Sequence, residues 1–155
     1  MLQDIKNYYM KKVKTVALWA FLFLCFPTLM SATVINDGDN DSDVDWAPYI
    51  EAIALVETGN NPNMRSGIYA GRLAMSPAAV NEVNIILKSR GESKRYTMND
   101  RLNPEKATEM FLIIQSRHNP ENNIEKGIRM WNGGHRWQTE RTKRYYNKVM
   151  AKVKL

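Results

Sequence analysis

The stretch "ALVETGNNPN", residues 54–63, ends an apolar run with Glu57 and then breaks into Thr58, Gly59 and two asparagines. A carboxylate in the last turn of a helix faces the partial negative charge of the helix C-terminus. Such a glutamate either points into water or serves a chemistry that needs a carboxyl group holding its proton. Other side chains compete for chemical roles. Asp100, in "YTMNDR", is the best alternative second carboxylate, but it sits just before a helix, where an acid more often has a structural task. Glu51 lies six residues from Glu57, roughly on the opposite helix face, and is expected in water. His118 and His135 are lone loop histidines without the spacing of metal ligands, so neither a metal nor a cofactor is expected. Trp131, Trp137 and Tyr145 can stack on sugar rings, and at helical spacing they can equally fill a core.

The elements decide where Glu57 points. Trp46, Ile50, Ile53 and Glu57 recur at spacings of four, three and four, so they share one helix face. Gly59 supplies the stop and Pro62 forbids continuation. Ser76 caps a second helix that Pro77 opens, running through Val80, Val83, Ile86 and Leu87 to Gly91. Asn103 and Pro104 repeat the device, with Ala107, Phe111 and Ile114 along a face. Asn119 and Pro120 are expected to do so again, placing Ile124, Ile128 and Trp131 on one side before Gly133 and Gly134. A last helix from about Thr139 carries Tyr145, Val149 and Val153 at spacings of four. Residues 64–75 fit a short hairpin or a loop. The expected fold class is mainly α, about five helices joined by short loops. On its apolar stripe, Glu57 faces the interior or a cleft, where desolvation and the helix end both favour the neutral acid. That is the state a general acid requires.

The 155 residues, 44% of them hydrophobic, suit one globular domain once other segments are set aside. Lys6, Lys11, Lys12 and Lys14 precede the apolar run "VALWAFLFLCF", residues 16–26, which leads to Pro27 and the small residues Ser31 and Ala32. A basic start, an apolar run and a small-residue exit describe a secretory signal peptide over residues 1–32, with Met10 as a more compact start. The run falls short of the about 20 residues that span a bilayer; an uncleaved anchor is the alternative. The expected location is therefore the periplasm or cell envelope, with the membrane touched only through this segment. Cys25 lies inside the run, behind "LFL" rather than the small residues of a lipoprotein cleavage box, and no cysteine remains for a disulfide beyond it. Residues 33–45 hold five aspartates, but no register supplies both the glycine and the glutamate of a calcium loop. They read as an acidic linker before a domain at residues 46–155. Four Lys and one Asp precede residue 33, so the net charge of +6 falls to +3 in the remainder. That is too weak to argue for nucleic acid, and is compatible with an anionic polymer such as a cell wall.

Four short motifs follow one another in the domain. "ETGNNPN" resembles the "ESGxNP" of soluble lytic transglycosylases and goose-type lysozymes, and "AGRLAMSP", residues 70–77, resembles their "xGLMQIxP". "MWNGGHR", residues 130–136, is similar to their "AYNGG", and "TKRYYNKV", residues 142–149, to "TxxYxxKV". The ordered set covers residues 50–150. The resemblance implies a lysozyme-like fold, helical around a glycan cleft, and cleavage of the β-1,4 bond between N-acetylmuramic acid and N-acetylglucosamine. It implies that Glu57 is the general acid and Tyr145 the tyrosine beside it. Asn132 and Gly133 match the substrate-facing pair, while Met75, Trp131 and Trp137 are further candidates for substrate contact. The chain departs from the pattern at Ala74, where the motif has glutamine, at Arg72 in place of the first leucine, and at Trp131 in place of tyrosine.

Glycosidic cleavage needs an acid for the leaving oxygen and stabilisation of an oxocarbenium-like centre. The resembled transglycosylases lack a second carboxylate; there the single acid turns base on the sugar's own sixth-carbon hydroxyl and a 1,6-anhydro ring closes. The expectation is an exported, monomeric enzyme acting on peptidoglycan in this way. A glycan-binding module that does not cut would pull peptidoglycan down without clearing it. A partner-binding component of an envelope apparatus would show no affinity for peptidoglycan.

Overall fold

A computed structural model describes residues 44–154, so the expected signal segment, Cys25 and the linker up to residue 43 lie outside the described part. The described residues form five α-helices and one two-stranded sheet, the mainly α class. Helix α1 (Ala47–Thr58) begins behind Asp45, whose carboxylate accepts the Ala47 N–H at 2.9 Å. It ends at Gly59, where φ of +64° lets the Gly59 and Asn60 N–H groups donate back to the Leu55 and Ala54 carbonyls. Helix α2 (Pro77–Ser89) is capped by Ser76, and α3 (Pro104–His118) by Asn103, whose side chain accepts the Lys106 N–H at 2.8 Å. Helix α4 covers Ile124–Gly133, and α5 covers Glu140–Met150 behind the cap Thr139. Short 3₁₀ turns occupy Met98–Leu102 and Gly134–Arg136.

Helix α4 starts four residues later than expected. Asn119 and Pro120 look like the Asn103–Pro104 start, yet the Asn119 side chain is fully buried and already committed. Its Oδ1 accepts the Asn123 N–H at 3.1 Å, and its Nδ2 donates to the Asn123 carbonyl at 2.9 Å and to Gln115 at 3.2 Å. Pro120 instead stops α3, placing His118 in that helix's last turn rather than in a loop. Asn122, at φ +52°, reverses the chain, and Asn123 becomes the cap by accepting the Lys126 N–H at 2.8 Å. Val153 lies beyond the end of α5, while Tyr145 and Val149 keep the buried stripe.

Helix α5 packs against both α1 and α4, and α2 packs against α3. The stripe residues Trp46, Ile50 and Ile53 are buried among Val80, Val83, Met110, Phe111 and Ile128. Each fully buried aliphatic or aromatic side chain stabilises by roughly 1.5–3 kcal/mol, and residues 44–154 contain no cysteine to assist. The Phe111 ring stands edge-on to Trp46 at 5.6 Å and tilted against Trp131 at 5.0 Å. Gly127 permits α4 to approach, since a Cβ there would lie 2.4 Å from the Trp46 ring.

The segment between α1 and α2 is a hairpin. Strands β1 (Arg65–Ser66) and β2 (Tyr69–Ala70) pair antiparallel, Arg65 opposite Ala70 and Ser66 opposite Tyr69. The two-residue turn between them begins at Gly67, φ +56°. A second return lets Ala70 and Met75 exchange backbone hydrogen bonds of 3.0 and 2.9 Å. Arg101 is buried against the hairpin and donates to the carbonyls of Ile68 at 2.9 Å and Met75 at 3.0 Å. Gly71, at φ +76°, passes so close that a Cβ would sit 1.7 Å from the Arg101 carbonyl oxygen.

Candidate active site

A cleft of about 780 Å³ opens between the hairpin, the ends of α1, α3 and α4, and the first turns of α2. Glu57 lies on its wall, half-buried, in the last turn of α1. From the middle of α5, the Tyr145 hydroxyl donates to Glu57 Oε1 at 2.7 Å, joining residues 88 apart in sequence. Burial pushes the Glu57 carboxyl above the ordinary glutamate range, while the hydrogen bond from Tyr145 opposes part of that rise. Burial, then the neighbouring Glu57 charge, pushes the tyrosine hydroxyl far above its usual range, so it remains a donor. The end of α1 is fastened as well: Thr58 Oγ1 donates to the Arg72 carbonyl at 2.8 Å and accepts the Asn61 N–H at 3.1 Å. The arrangement holds a carboxyl group, whose protonated form burial favours, against a cavity and in fixed orientation, a geometry that suits general-acid chemistry.

The other sequence candidates fall into two groups. Met75, Trp131 and Asn132 line the cleft. Trp131 does so with only part of its ring, because its indole N–H donates to the Leu73 carbonyl at 3.3 Å and its face leans on Phe111. Ala74, at the position of the motif glutamine, lines the cleft at φ +48°, a left-handed conformation that costs a Cβ-bearing residue roughly 1–2 kcal/mol. Gly133 does not line the cleft, although Asn132 and Gly134 beside it do. A Cβ at Gly133 would meet Thr142 Cγ2 at 2.5 Å, so this glycine serves the contact of α4 with α5. Trp137 is also absent from the cleft wall. Its ring carries the Arg129 guanidinium at 5.5 Å, and its carbonyl accepts from Arg129 Nε at 3.1 Å and from the buried Thr142 hydroxyl.

The two competing acids are engaged elsewhere. Asp100 closes a capping box with Thr97 and pairs with Lys106 at 2.6 Å. The lysine first, and the Thr97 backbone N–H next, pull the Asp100 carboxyl down to about 2. Glu51 is exposed and forms an ion pair with Arg72.

Glu82, Tyr69 and Ser66 escaped the sequence reading, and His118 and His135, expected as lone loop residues, join them on the cleft wall. Glu82 on α2 and His118 at the end of α3 meet at 2.8 Å inside the cleft, and the His135 ring stands edge-on to His118 at 6.2 Å. Tyr69 and Ser66 of the hairpin face the same space. Among the described residues, no group of three or more His, Cys, Asp and Glu side chains converges as metal ligands would. No short-range pattern marks these residues, because the cleft gathers them from separate elements: the hairpin, α2, the end of α3 and the 3₁₀ turn at Gly134–Arg136. Comparison with protein-family models, curated proteins and solved structures finds no match for the chain.

Proposed function

We propose that this chain is an exported, lysozyme-like enzyme that cleaves the β-1,4 glycosidic bond of peptidoglycan glycan strands, with Glu57 as general acid. One observation carries the reading: a half-buried glutamate with raised pKa, held by the Tyr145 hydroxyl at 2.7 Å, forms part of the wall of a 780 Å³ cleft. The ordered motifs from residue 50 to residue 150 name the substrate class. Glu57 gives its proton to the oxygen that links the two sugars, and the bond from that oxygen to the anomeric carbon breaks. The Glu57 carboxylate then takes the proton of the sixth-carbon hydroxyl of the same sugar, whose oxygen bonds to the anomeric carbon. Glu57 is protonated again, and the product is a 1,6-anhydro sugar with no water consumed.

A second reading of the same site has its own support. Glu82 is another carboxylate on the cleft wall, and a pair of carboxylates would fit hydrolysis through a bound water or a glycosyl intermediate. Its hydrogen bond to His118 favours a positioning role instead. Mass spectrometry of muropeptides released by the wild type and by Glu82→Gln distinguishes the readings. Anhydro products, formed by both proteins, support the single-acid route; products heavier by one water, lost in Glu82→Gln, support the carboxylate pair. Release of no muropeptide by wild type sinks both.

A further inference from the structure

We propose that Tyr69, on the β-hairpin, is a stacking platform for a pyranose ring of the glycan and carries much of the cleft's affinity for it; this rests on the glycan-cleaving reading above. The Tyr69 side chain is 49% exposed yet lies on the wall of the Glu57 cleft. Strand alternation explains the combination. Ala70 points into the core at 2% exposure, so Tyr69 must point the other way, beside its cross-strand partner Ser66, which also lines the cleft. An exposed aromatic ring inside a cavity leaves an apolar face in water, and the C–H face of a pyranose is the complementary surface for it.

The alternatives within the cleft are weaker. Trp131 spends its ring on Phe111 and its N–H on Leu73, and Trp137 lies outside the cleft against Arg129. Tyr145 is buried and commits its hydroxyl to Glu57. The His118 and His135 imidazoles also line the cleft, but His118 is tied to Glu82 and both rings are small and polar, so Tyr69 is the exposed ring with an apolar face. It is also preorganised, because Arg101 holds the carbonyl of Ile68, the residue before it, and that of Met75 beyond it. A platform fixed to the core through a buried guanidinium loses little freedom when it binds.

The test uses Glu57→Gln as a background that binds without turning over, titrated calorimetrically with peptide-free glycan strands. Adding Tyr69→Ala should weaken binding about tenfold, as expected for roughly 60 Å² of apolar contact returned to water. Adding Tyr69→Phe should stay within about twofold of the background, since the ring face and not the hydroxyl carries the contact. In the active enzyme, Tyr69→Ala should raise KM with kcat little changed. Circular dichroism should be unaffected, because removing a half-exposed ring opens no cavity. Binding by Tyr69→Ala within twofold of the background overturns the platform while leaving the glycan reading intact. Phe as weak as Ala overturns it too, by assigning the contact to the hydroxyl. No glycan binding by the Glu57→Gln background overturns the glycan reading and the platform together.

Discussion

The two walls of the cleft are built on different principles. On one, α1 and α5 pack side by side and bring Glu57 to Tyr145 through side chains spaced at helical period. On the other, the hairpin at residues 64–75 holds its place through backbone: paired strands, Gly71 against the Arg101 carbonyl, and the Arg101 guanidinium on two carbonyls. The helical wall orients the Glu57 carboxyl and shields part of it from water. The hairpin wall presents small and exposed side chains, Ser66, Tyr69 and Ala74, to whatever lies in the cleft. On the proposed function, chemistry falls to the first wall and recognition to the second, and each should fail in its own way.

The largest difference between the walls should appear at Glu57. Glu57→Gln keeps the shape and the acceptor for Tyr145 but removes the proton, and should lower cleavage by about 10² to 10⁴, roughly 3–5 kcal/mol of barrier. Its circular dichroism should match wild type. Retention of more than a tenth of the wild-type rate would mean that Glu57 is not the acid.

The hairpin wall should break by stability instead. Gly71→Ala forces a Cβ toward a backbone oxygen at a positive φ, so the hairpin must shift. A loss of about 2–3 kcal/mol is expected in urea unfolding, with proteolytic cleavage concentrated at residues 64–75. Wild-type stability for this variant would show that the hairpin is not pinned on Arg101.

The same division governs what the sequence could reveal. The stripe Trp46–Ile50–Ile53 and the Tyr145–Val149 face follow helical period, so their burial was legible in the sequence. The meeting of Glu57 with Tyr145 was implied by the resemblance of the first and last motifs, not by the period. Proline-opened helices were legible for the same local reason at Ser76 and Asn103. At Asn119 the identical signal misled, because Gln115 and Asn123 had claimed the side chain that would have capped. Trp137 was a candidate for sugar contact as an aromatic residue; its contact with Arg129 holds it away from the cleft wall. Arg101 gave no signal at all, since its partners are carbonyls 33 and 26 residues away. Local pattern finds side chains on helices, and misses sites made by one backbone approaching another.

A smaller effect sharpens the comparison inside the helical wall. Tyr145→Phe keeps the packing and removes one hydrogen bond to the acid. Stability should stay within about 1 kcal/mol, and kcat should fall roughly tenfold through lost orientation. The pH profile carries the diagnostic sign. In wild type, the basic limb of kcat/KM should lie above the about 4.3 of a solvated glutamate, because burial raises the Glu57 carboxyl. The Tyr145 hydrogen bond lowers it, so Tyr145→Phe should move the basic limb to higher pH. A limb that moves down, or a large loss of melting temperature with unchanged specific activity, would make Tyr145 a core residue only.

The smallest expected effect is a stability gain from removing the acid. The native Glu57 pKa lies above its unfolded value, so its contribution to stability is fully present below the unfolded pKa, near 4.5. As pH rises through that value and on through the native pKa, the unfolded chain ionises first and stability is lost. Glu57→Gln has no charge to bury and escapes this loss. The melting temperature of the variant relative to wild type should therefore climb between about pH 4 and pH 7, by roughly 1–3 °C. The gain is small because the carboxyl is only half-buried and solvent screens part of the cost. Any such gain is the stability the fold forgoes to keep an ionisable acid in the cleft. A difference that stays flat with pH, or shrinks, would place the carboxyl in bulk water and remove the physical ground for calling it an acid catalyst.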